Sequence, residues 1–288
     1  MTIIDSSGGP FSTGLFEWQF SLAAGLDTGL QRFSNQDRLI LCPDYGFFAV
    51  SDGMGGLRGG GETSEMIEKA LPAFIAKAYL DLAEDPSEER AAGLLIGIAR
   101  TISDQIFQNL NSQGSLAFGA TLCAVWLVGH SAVFLNLGDS RGYHLGHREK
   151  RIRQVTSDHN VAGELVANGE LSPEEARRHR SCSALTRFVG MPSPAIPETF
   201  FSRLGPGDSL LLSSDGLHGP VAGQRLPEII RSSRSGRRVV GRLIGEANAV
   251  GGPDNICVVY VKIASGRSCL WEQWKMAGGG EDGRAAVG

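Results

Sequence analysis

The sequence lacks the features that hold small extracellular folds together. Its five cysteines (Cys42, Cys123, Cys182, Cys257 and Cys269) are odd in number and far apart, and no CxxC pair exists, so neither a zinc ribbon nor a disulfide framework is supported. Cys123 and Cys257 lie inside apolar runs and read as buried small hydrophobes, which fits a reducing cytoplasm. There is no excess of positive charge: 27 Lys and Arg against 31 Asp and Glu leave a net charge of −4, with no general attraction for nucleic-acid phosphates. The one basic cluster, "RSSRSGRR" at Arg231–Arg238, reads as a solvated loop. A basic start followed by an apolar leader is missing from the N-terminus. The stretch most like a membrane span, Gly119 to Gly138, is broken at its centre by Gly129, His130 and Ser131. Two strands of about eight residues joined by a tight turn describe it better. These absences predict a soluble, cytoplasmic chain with no nucleic-acid or membrane partner.

At 288 residues with 42% hydrophobic and 20% charged content, the chain is long enough for a substantial core. Residues 1–15 are rich in Gly and Ser and are expected to be loose, and a Gly-rich tail from 265 to 288 is expected to be flexible. Between them, "FEWQFSLAAG", "DRLILCP" and "YGFFAVSD" read as strands. A helix is expected from about Glu62, kinked at Pro72. A second carries Ala91, Leu94, Leu95, Ile98, Ile102, Ile106 and Leu110 at spacings of three and four. Strands return in the Gly119–Gly138 hairpin, "SRGYHLG" and "RIRQVT". After a polar helical segment over 158–187, "DSLLLSSDG" and "NICVVYVKI" read as strands, and "LPEIIR" and "RRVVGRLIGEANAV" as helices. Within the polar segment, Ser172, Pro173 and Glu175 have the spacing of a capped helix start. Strands, then two long helices, then strands again predict an α+β layered sandwich of antiparallel sheets covered by helices, in a single domain over 16–264.

Three aspartates share one grammar, in which an apolar strand borders Asp and a small or amide residue: Asp52 in "FFAVSDGMGG", Asp215 in "LLLSSDGLHG" and Asp254 in "GGPDNICVVYV". Asp37 and Asp139 sit at similar borders. Each alone is an ordinary turn. Together, at strand ends that converge on one sandwich edge, they form a carboxylate cluster that needs a cation. Oxygen-only ligands select Mg²⁺ or Mn²⁺ over zinc. Two such ions could share a carboxylate and hold a water between them. The glycines after Asp52 would clear space for backbone beside the ion.

With these residues the chain resembles the metal-dependent protein phosphatase family, protein phosphatase 2C-like, in its bacterial form. The resemblance runs from about Phe20 to Ile263 through "DTGLQRFSNQDR", "AVSDGMGGLRGGGETS", "FGATLCAVWL", "LNLGDSRGY", "TSDHNVAGELVANGELSPEEARRH", "LTRFVG", "GDSLLLSSDGLHGPV" and "GGPDNICVV". It implies a four-layer αββα sandwich with a small helical flap over about 158–187. It also implies a serine/threonine protein phosphatase, which hydrolyses phosphoserine and phosphothreonine by attack of a water bridging two metal ions. Carried over by position, Asp52 would bridge both ions, the Gly53 carbonyl would complete one, and Asp215 and Asp254 would hold the other. Asp37 would act through metal-bound water, Gln36 and Asn255 would support the ligands, and Arg32 would bind the phosphate with its two-pronged guanidinium.

Three departures from the family pattern stand out. Gln36 replaces the glutamate of many members. Met54 replaces the histidine that protonates the leaving group in animal members. Gly219 stands where a carboxylate would join Asp139 around a third ion, so a third site is expected to be weak or absent. His218 reads as a solvent-facing loop residue and His159 as the start of the helix after "TSDH". The partners implied are phosphorylated proteins and a cognate Ser/Thr kinase system, and the chain reads as a monomer. Two alternatives remain open at this level: a phosphatase of small phosphorylated molecules, and a non-catalytic metal-stabilised adaptor or sensor.

Overall fold

The structure, a computed structural model, describes residues 1–5, 11–54, 56–111, 118–177 and 179–264. The first half of the chain runs β1 (Thr2–Asp5), β2 (Phe11–Thr13), β3 (Phe16–Asp27), β4 (Arg38–Cys42), β5 (Phe47–Ser51), β6 (Gly53–Met54), α1 (Gly56–Glu84) and α2 (Glu88–Ile106). It continues through β7 (Gly119–Ala120), β8 (Leu122–Val128), β9 (Ser131–Leu137), β10 (Arg141–Leu145) and β11 (Arg153–Gln154). The last part holds α3 (Val161–Ala167), α4 (Pro173–Ala176), β12 (Glu198–Arg203), β13 (Ser209–Ser213), α5 (Asp215–His218), α6 (Arg225–Ser232), α7 (Gly236–Ala249) and β14 (Ile256–Ile263).

Two antiparallel sheets form the centre. One has the order β1-β3-β14-β13-β10-β11, with β2 also paired to β3; the other has the order β12-β9-β8-β5-β4. Alternation along β5 shows how they stack. Phe48 and Val50 point between the sheets, against Phe20, Phe134, Leu212 and Val259. Phe47 and Ala49 point outward, among side chains of α1 and α2. All five β5 residues are buried, so the strand is apolar throughout instead of alternating with polar residues. On the far side, Ala23, Tyr143, Leu211, Val258 and Tyr260 meet α6 and α7. The result is the expected four-layer αββα sandwich, and no helix among the described residues is long and apolar enough to cross a membrane.

The helices follow their sequence signals closely. Ser87 caps α2 by accepting from the Arg90 amide at 3.3 Å, and the residues at three-four spacing (Ala91, Leu95, Ile98, Ile102, Ile106) are buried. Ser172 and Glu175 make a reciprocal capping box on α4.

Other expectations need correcting. The N-terminus is not loose throughout: Thr2–Asp5 pairs with Ala23–Leu26, and Phe11 and Thr13 pair with Phe20 and Phe16, because the edge of β3 opposite β14 offers them backbone partners. The first helix starts at Gly56, earlier than Glu62, and runs on through Pro72. The sequence reading also missed β12. The expected flexible tail at 265–288 lies outside the described residues.

Candidate metal centre

The five aspartates come from five different junctions and meet at one edge of the sandwich. Asp52 lies between β5 and β6. Its amide donates to Thr121 Oγ1 at 3.0 Å, and its carbonyl accepts from the Thr121 amide at 2.8 Å. Thr121 Oγ1 in turn lies 2.7 Å from Ser140 Oγ, tying the Asp52 backbone to the loop that carries Asp139. Asp37 is 1% exposed and accepts from Ser214 Oγ at 2.7 Å, while the same Ser214 oxygen accepts from the Cys257 amide at 2.9 Å. Ser214 therefore fixes Asp37, the start of α5 and β14 relative to one another.

Two glycines make the convergence possible. A Cβ on Gly216 would lie 1.9 Å from the Asn255 carbonyl oxygen, so the segment after Asp215 packs directly on the one after Asp254. A Cβ on Gly53 would lie 2.3 Å from the Gly60 carbonyl oxygen and 3.0 Å from that of Gln36. Without a side chain on Gly53, α1 backbone packs directly beside the segment that follows Asp52.

The loop from Thr28 to Gln36 is held by Asn255. Its side-chain amide donates to the Thr28 and Ser34 carbonyls, both at 2.9 Å, and its Oδ1 accepts from the Gln36 amide at 2.8 Å. The Asn255 backbone amide also donates to Asp254 Oδ1 at 2.8 Å, while every hydrogen bond of its side chain goes to the loop. The Gln36 carbonyl accepts from Ser64 Oγ of α1 at 2.5 Å. Arg32, half-exposed, projects from this loop, and its Nη2 donates to Asp254 Oδ2 at 2.7 Å. Beside it Leu30 and Phe33 are among the most exposed apolar side chains, at 67% and 102%.

Electrostatically the cluster is unbalanced. Burial, followed by repulsion from Asp215 and Asp254, outweighs the Ser214 hydrogen bond and raises the Asp37 carboxyl to about 7. Asp52 is pushed well above the ordinary range, first by burial and then by Asp37, Asp215 and Asp139. Burial and the Asp254 charge raise Asp215, and burial with Asp215 and Asp158 raises Asp139 to about 7. Asp37 Oδ1 and Asp215 Oδ1 are buried with no hydrogen-bond partner. Orphaned acceptors among repelling carboxylates are what a hard cation would satisfy. Among the described residues no group of three or more His, Cys, Asp or Glu side chains is arranged to hold a metal by itself. Mg²⁺ and Mn²⁺ do not need one, since such ions bind through one or two carboxylates and keep several waters.

The histidines lie elsewhere. His218 is buried, not solvent-facing as expected: it is 6% exposed, with Nδ1 3.2 Å from Ser213 Oγ, and burial together with Arg141 and Arg177 holds it well below its usual pKa. His159 is wholly buried at the start of the flap, accepting from the Gly138 amide at 3.3 Å, and Asn160 is the actual cap of α3. Neither hydrogen-bonds an aspartate of the cluster. Met54, half-buried, ends β6.

The flap is anchored at both ends. Arg141 makes a bidentate pair with Asp158, at 2.8 Å from Nε to Oδ1 and 2.6 Å from Nη2 to Oδ2. Asn160 Nδ2 reaches Asp139 Oδ2 at 3.5 Å. At the other end Arg177 Nη2 donates to the carbonyls of His218, Gly219 and Val221 at 3.4, 3.1 and 3.4 Å, in the segment that follows Asp215. Sequence reasoning missed Thr121, Ser214 and Arg177, although the motifs "FGATLC", "LLLSSDG" and "SPEEARRH" contained them.

Known proteins match this architecture. Residues 31–247 match the family model described as Protein phosphatase 2C. The chain is 34% identical over 214 residues to the serine/threonine phosphatase stp of Listeria welshimeri, covering 74% of this chain and 82% of that relative. It is 31% identical over 241 residues to the protein phosphatase PhpP of Streptococcus pneumoniae, covering 82% and 95%. It superposes at a TM-score of 0.68, with 27% identity, on the catalytic domain of the serine/threonine protein phosphatase PstP in complex with two manganese ions, covering 85% of this chain and 98% of that one.

Proposed function

Because this chain belongs to the protein phosphatase 2C family and is a metal-dependent serine/threonine protein phosphatase, we propose that Asp52, Asp215 and Asp254, with the Gly53 carbonyl, hold its ions and that Arg32 takes the phosphate. The observation that carries this reading is the convergence of five carboxylates from five junctions, two of them with buried oxygens that no donor satisfies. An all-oxygen donor set favours Mn²⁺ or Mg²⁺, and the two manganese ions of PstP support a count of two. Ions bound there would lower the pKa of a water and polarise the phosphoryl oxygens.

The chain's own residues do the rest. Asp37, oriented by Ser214, lies beside Asp52 and Asp215 and would accept from a water held among them. Gln36 and Asn255 keep the Arg32 loop against Asp254. Arg32 leans on Asp254 through one nitrogen, and the remaining donors of its fork are available for phosphate oxygens. With Met54 at the histidine position, water rather than a side chain protonates the departing serine or threonine oxygen. Asp139 anchors at most a weak third ion, because Gly219 brings no carboxylate.

The substrates are phosphorylated proteins. Exposed Leu30 and Phe33 flank Arg32 and offer apolar surface to the residues beside a phosphosite, which favours peptides over small phosphorylated molecules. Retention of Asp37, Asp52, Asp215 and Asp254 together argues against a non-catalytic adaptor. A cognate Ser/Thr kinase, a monomeric state and a cytoplasmic setting complete the reading. The free thiols of Cys42, Cys123, Cys182 and Cys257 accord with a reducing compartment. Phosphate release from a phosphothreonine peptide tests it: manganese should restore turnover to chelator-treated protein, whereas equal turnover with and without metal would sink the assignment.

A further inference from the structure

The register of the seven-stranded sheet puts Ser21, Lys262, Ser209 and Leu145 in one row across β3, β14, β13 and β10. Two residues along each strand, Ala23, Tyr260, Leu211 and Tyr143 face α6 and α7, so by the period of two this row faces the same way. Here the sheet turns polar at Ser21, Lys262 and Ser209, while Leu145 stays packed with α6 and α7, whose facing ends, from Ile230 and Arg231 to Gly236 and Val239, border a cavity. The α6–α7 connection and the first turn of α7 form the far wall of this cavity of about 350 Å³. Arg231, Arg234, Ser235 and Gly236 line that wall, and His147 stands at the rim. This is the basic cluster that the sequence reading took for a solvated loop.

The floor is built from polar groups that are themselves largely buried. Ser209 is 2% and Tyr260 5% exposed, and their hydroxyls lie 3.2 Å apart. Lys262 Nζ donates to the Gly207 carbonyl at 2.5 Å and to Ser209 Oγ at 3.3 Å, both neutral acceptors. Among the described residues no carboxylate forms an ion pair with Lys262 or Arg234. Asp208, close by, is already taken: Oδ1 accepts from the His147 amide at 2.7 Å, and Oδ2 lies 2.8 Å from the Gly205 amide and 3.0 Å from His144 Nε2. Asp5 and Glu149 stand near the edge, against Gly236 and Gly146. Burial outweighs the nearby Asp208 charge and, with Arg231, holds the Lys262 ammonium below its usual pKa, a cost that a bound anion would offset. The 14-residue helix α7 adds the positive end of its dipole through the Gly236 amide.

We propose that this cavity binds a small phosphorylated molecule, with Lys262 and Arg234 as charged contacts and Ser209, Tyr260 and the start of α7 as neutral ones. The volume suits a phosphate carrying a small body, since pockets for small ligands begin near ~300 Å³. The site is separate from the aspartate cluster. Lys262 and Ile256 lie at opposite ends of β14, about 20 Å apart at the strand rise, and Ile256 directly follows Asp254 and Asn255.

The test is a titration of the metal-free full chain with ribose 5-phosphate, followed in ¹H–¹⁵N spectra, with ribose as control. An Arg32→Ala background removes the phosphate contact beside the aspartates. The amides of Ser209, Ser235, Gly236 and Lys262 should shift saturably with the phosphate ester and not with ribose. Arg234→Gln, at an exposed position, should weaken binding by about tenfold while leaving the melting temperature in place. Lys262→Gln should weaken it at least as much, and if that variant melts early, Arg234→Gln decides alone. Shifts that grow without saturating, that arise equally with ribose, or that persist undiminished in Arg234→Gln would overturn the proposal.

Discussion

At the scale of single residues, the clustered carboxylates repel one another and are held above their ordinary pKa, a cost that a bound cation would offset. Asp52→Asn, Asp215→Asn and Asp254→Asn should each lower turnover by orders of magnitude at low manganese while the metal-free chain still folds, because each removes repulsion along with a ligand. Circular dichroism and phosphopeptide hydrolysis together check this, and near wild-type activity in any one variant removes that residue from the ligand set. Arg32→Ala should raise KM and cost about 2–3 kcal/mol in kcat/KM, roughly 30- to 150-fold, with metal affinity nearly intact; unchanged steady-state kinetics would show that the arginine serves only Asp254. Gly219 needs no left-handed backbone, with φ at −63°, but a Cβ there would lie 2.8 Å from the Asp215 carbonyl oxygen. Gly219→Asp should therefore disturb Asp215 as well as add a carboxylate, and calorimetric ion counts beside Gly219→Ala separate the two effects. The aspartates were legible because a charged residue ending an apolar strand is conspicuous in sequence. Thr121 and Ser214 were not, since a buried hydroxyl that braces a ligand looks like any small polar residue. His218 was misread because its surroundings come from far away in sequence: Arg177 of the flap donates to its carbonyl, and the Arg141 charge is felt at its ring.

At the scale of elements, the strands and long helices were readable from periodicity, while edges and short pieces were not. β12 lies between Pro197 and Pro206 and is only partly buried, so it lacks the apolar run that marks β8, β9 and β14. β1 is four residues whose burial alternates weakly, and only the exposed edge of β3 gives it a partner. The joints between elements make their own predictions. Thr121→Val removes the acceptor for the Asp52 amide and the partner of Ser140, leaving a donor unsatisfied at a cost of about 1–3 kcal/mol. A lower melting temperature with reduced turnover is expected, and an unchanged melt would show that water replaces the hydroxyl. Arg177→Ala should free the flap from the carbonyls after Asp215 and alter kcat/KM on a protein substrate more than on p-nitrophenyl phosphate. Equal effects on both substrates would confine Arg177 to a structural part.

At the scale of the whole molecule, a layered sandwich of antiparallel sheets could be inferred because strands, two long helices and more strands cannot be wound as an alternating parallel sheet, while the count of four layers came with the family resemblance. Which edge of the sandwich becomes the site could not be inferred from periodicity alone. It depends on Gly216 and Gly53 letting backbones touch, which no pattern of apolar residues reports. Since the repelling carboxylates sit where both sheets end, metal binding should stabilise the entire fold. At 100-fold excess over Kd, an ion that binds only the folded chain contributes about 2.7 kcal/mol, a rise of several degrees in Tm. The measurement that reaches the central claim most directly is a calorimetric manganese titration of wild-type and Asp52→Asn protein, with phosphothreonine-peptide hydrolysis followed on the same samples. Wild-type protein should hold two ions tightly and turn over, and the variant should lose both properties. Two ions bound equally well by Asp52→Asn, with hydrolysis near the wild-type rate, would contradict that claim.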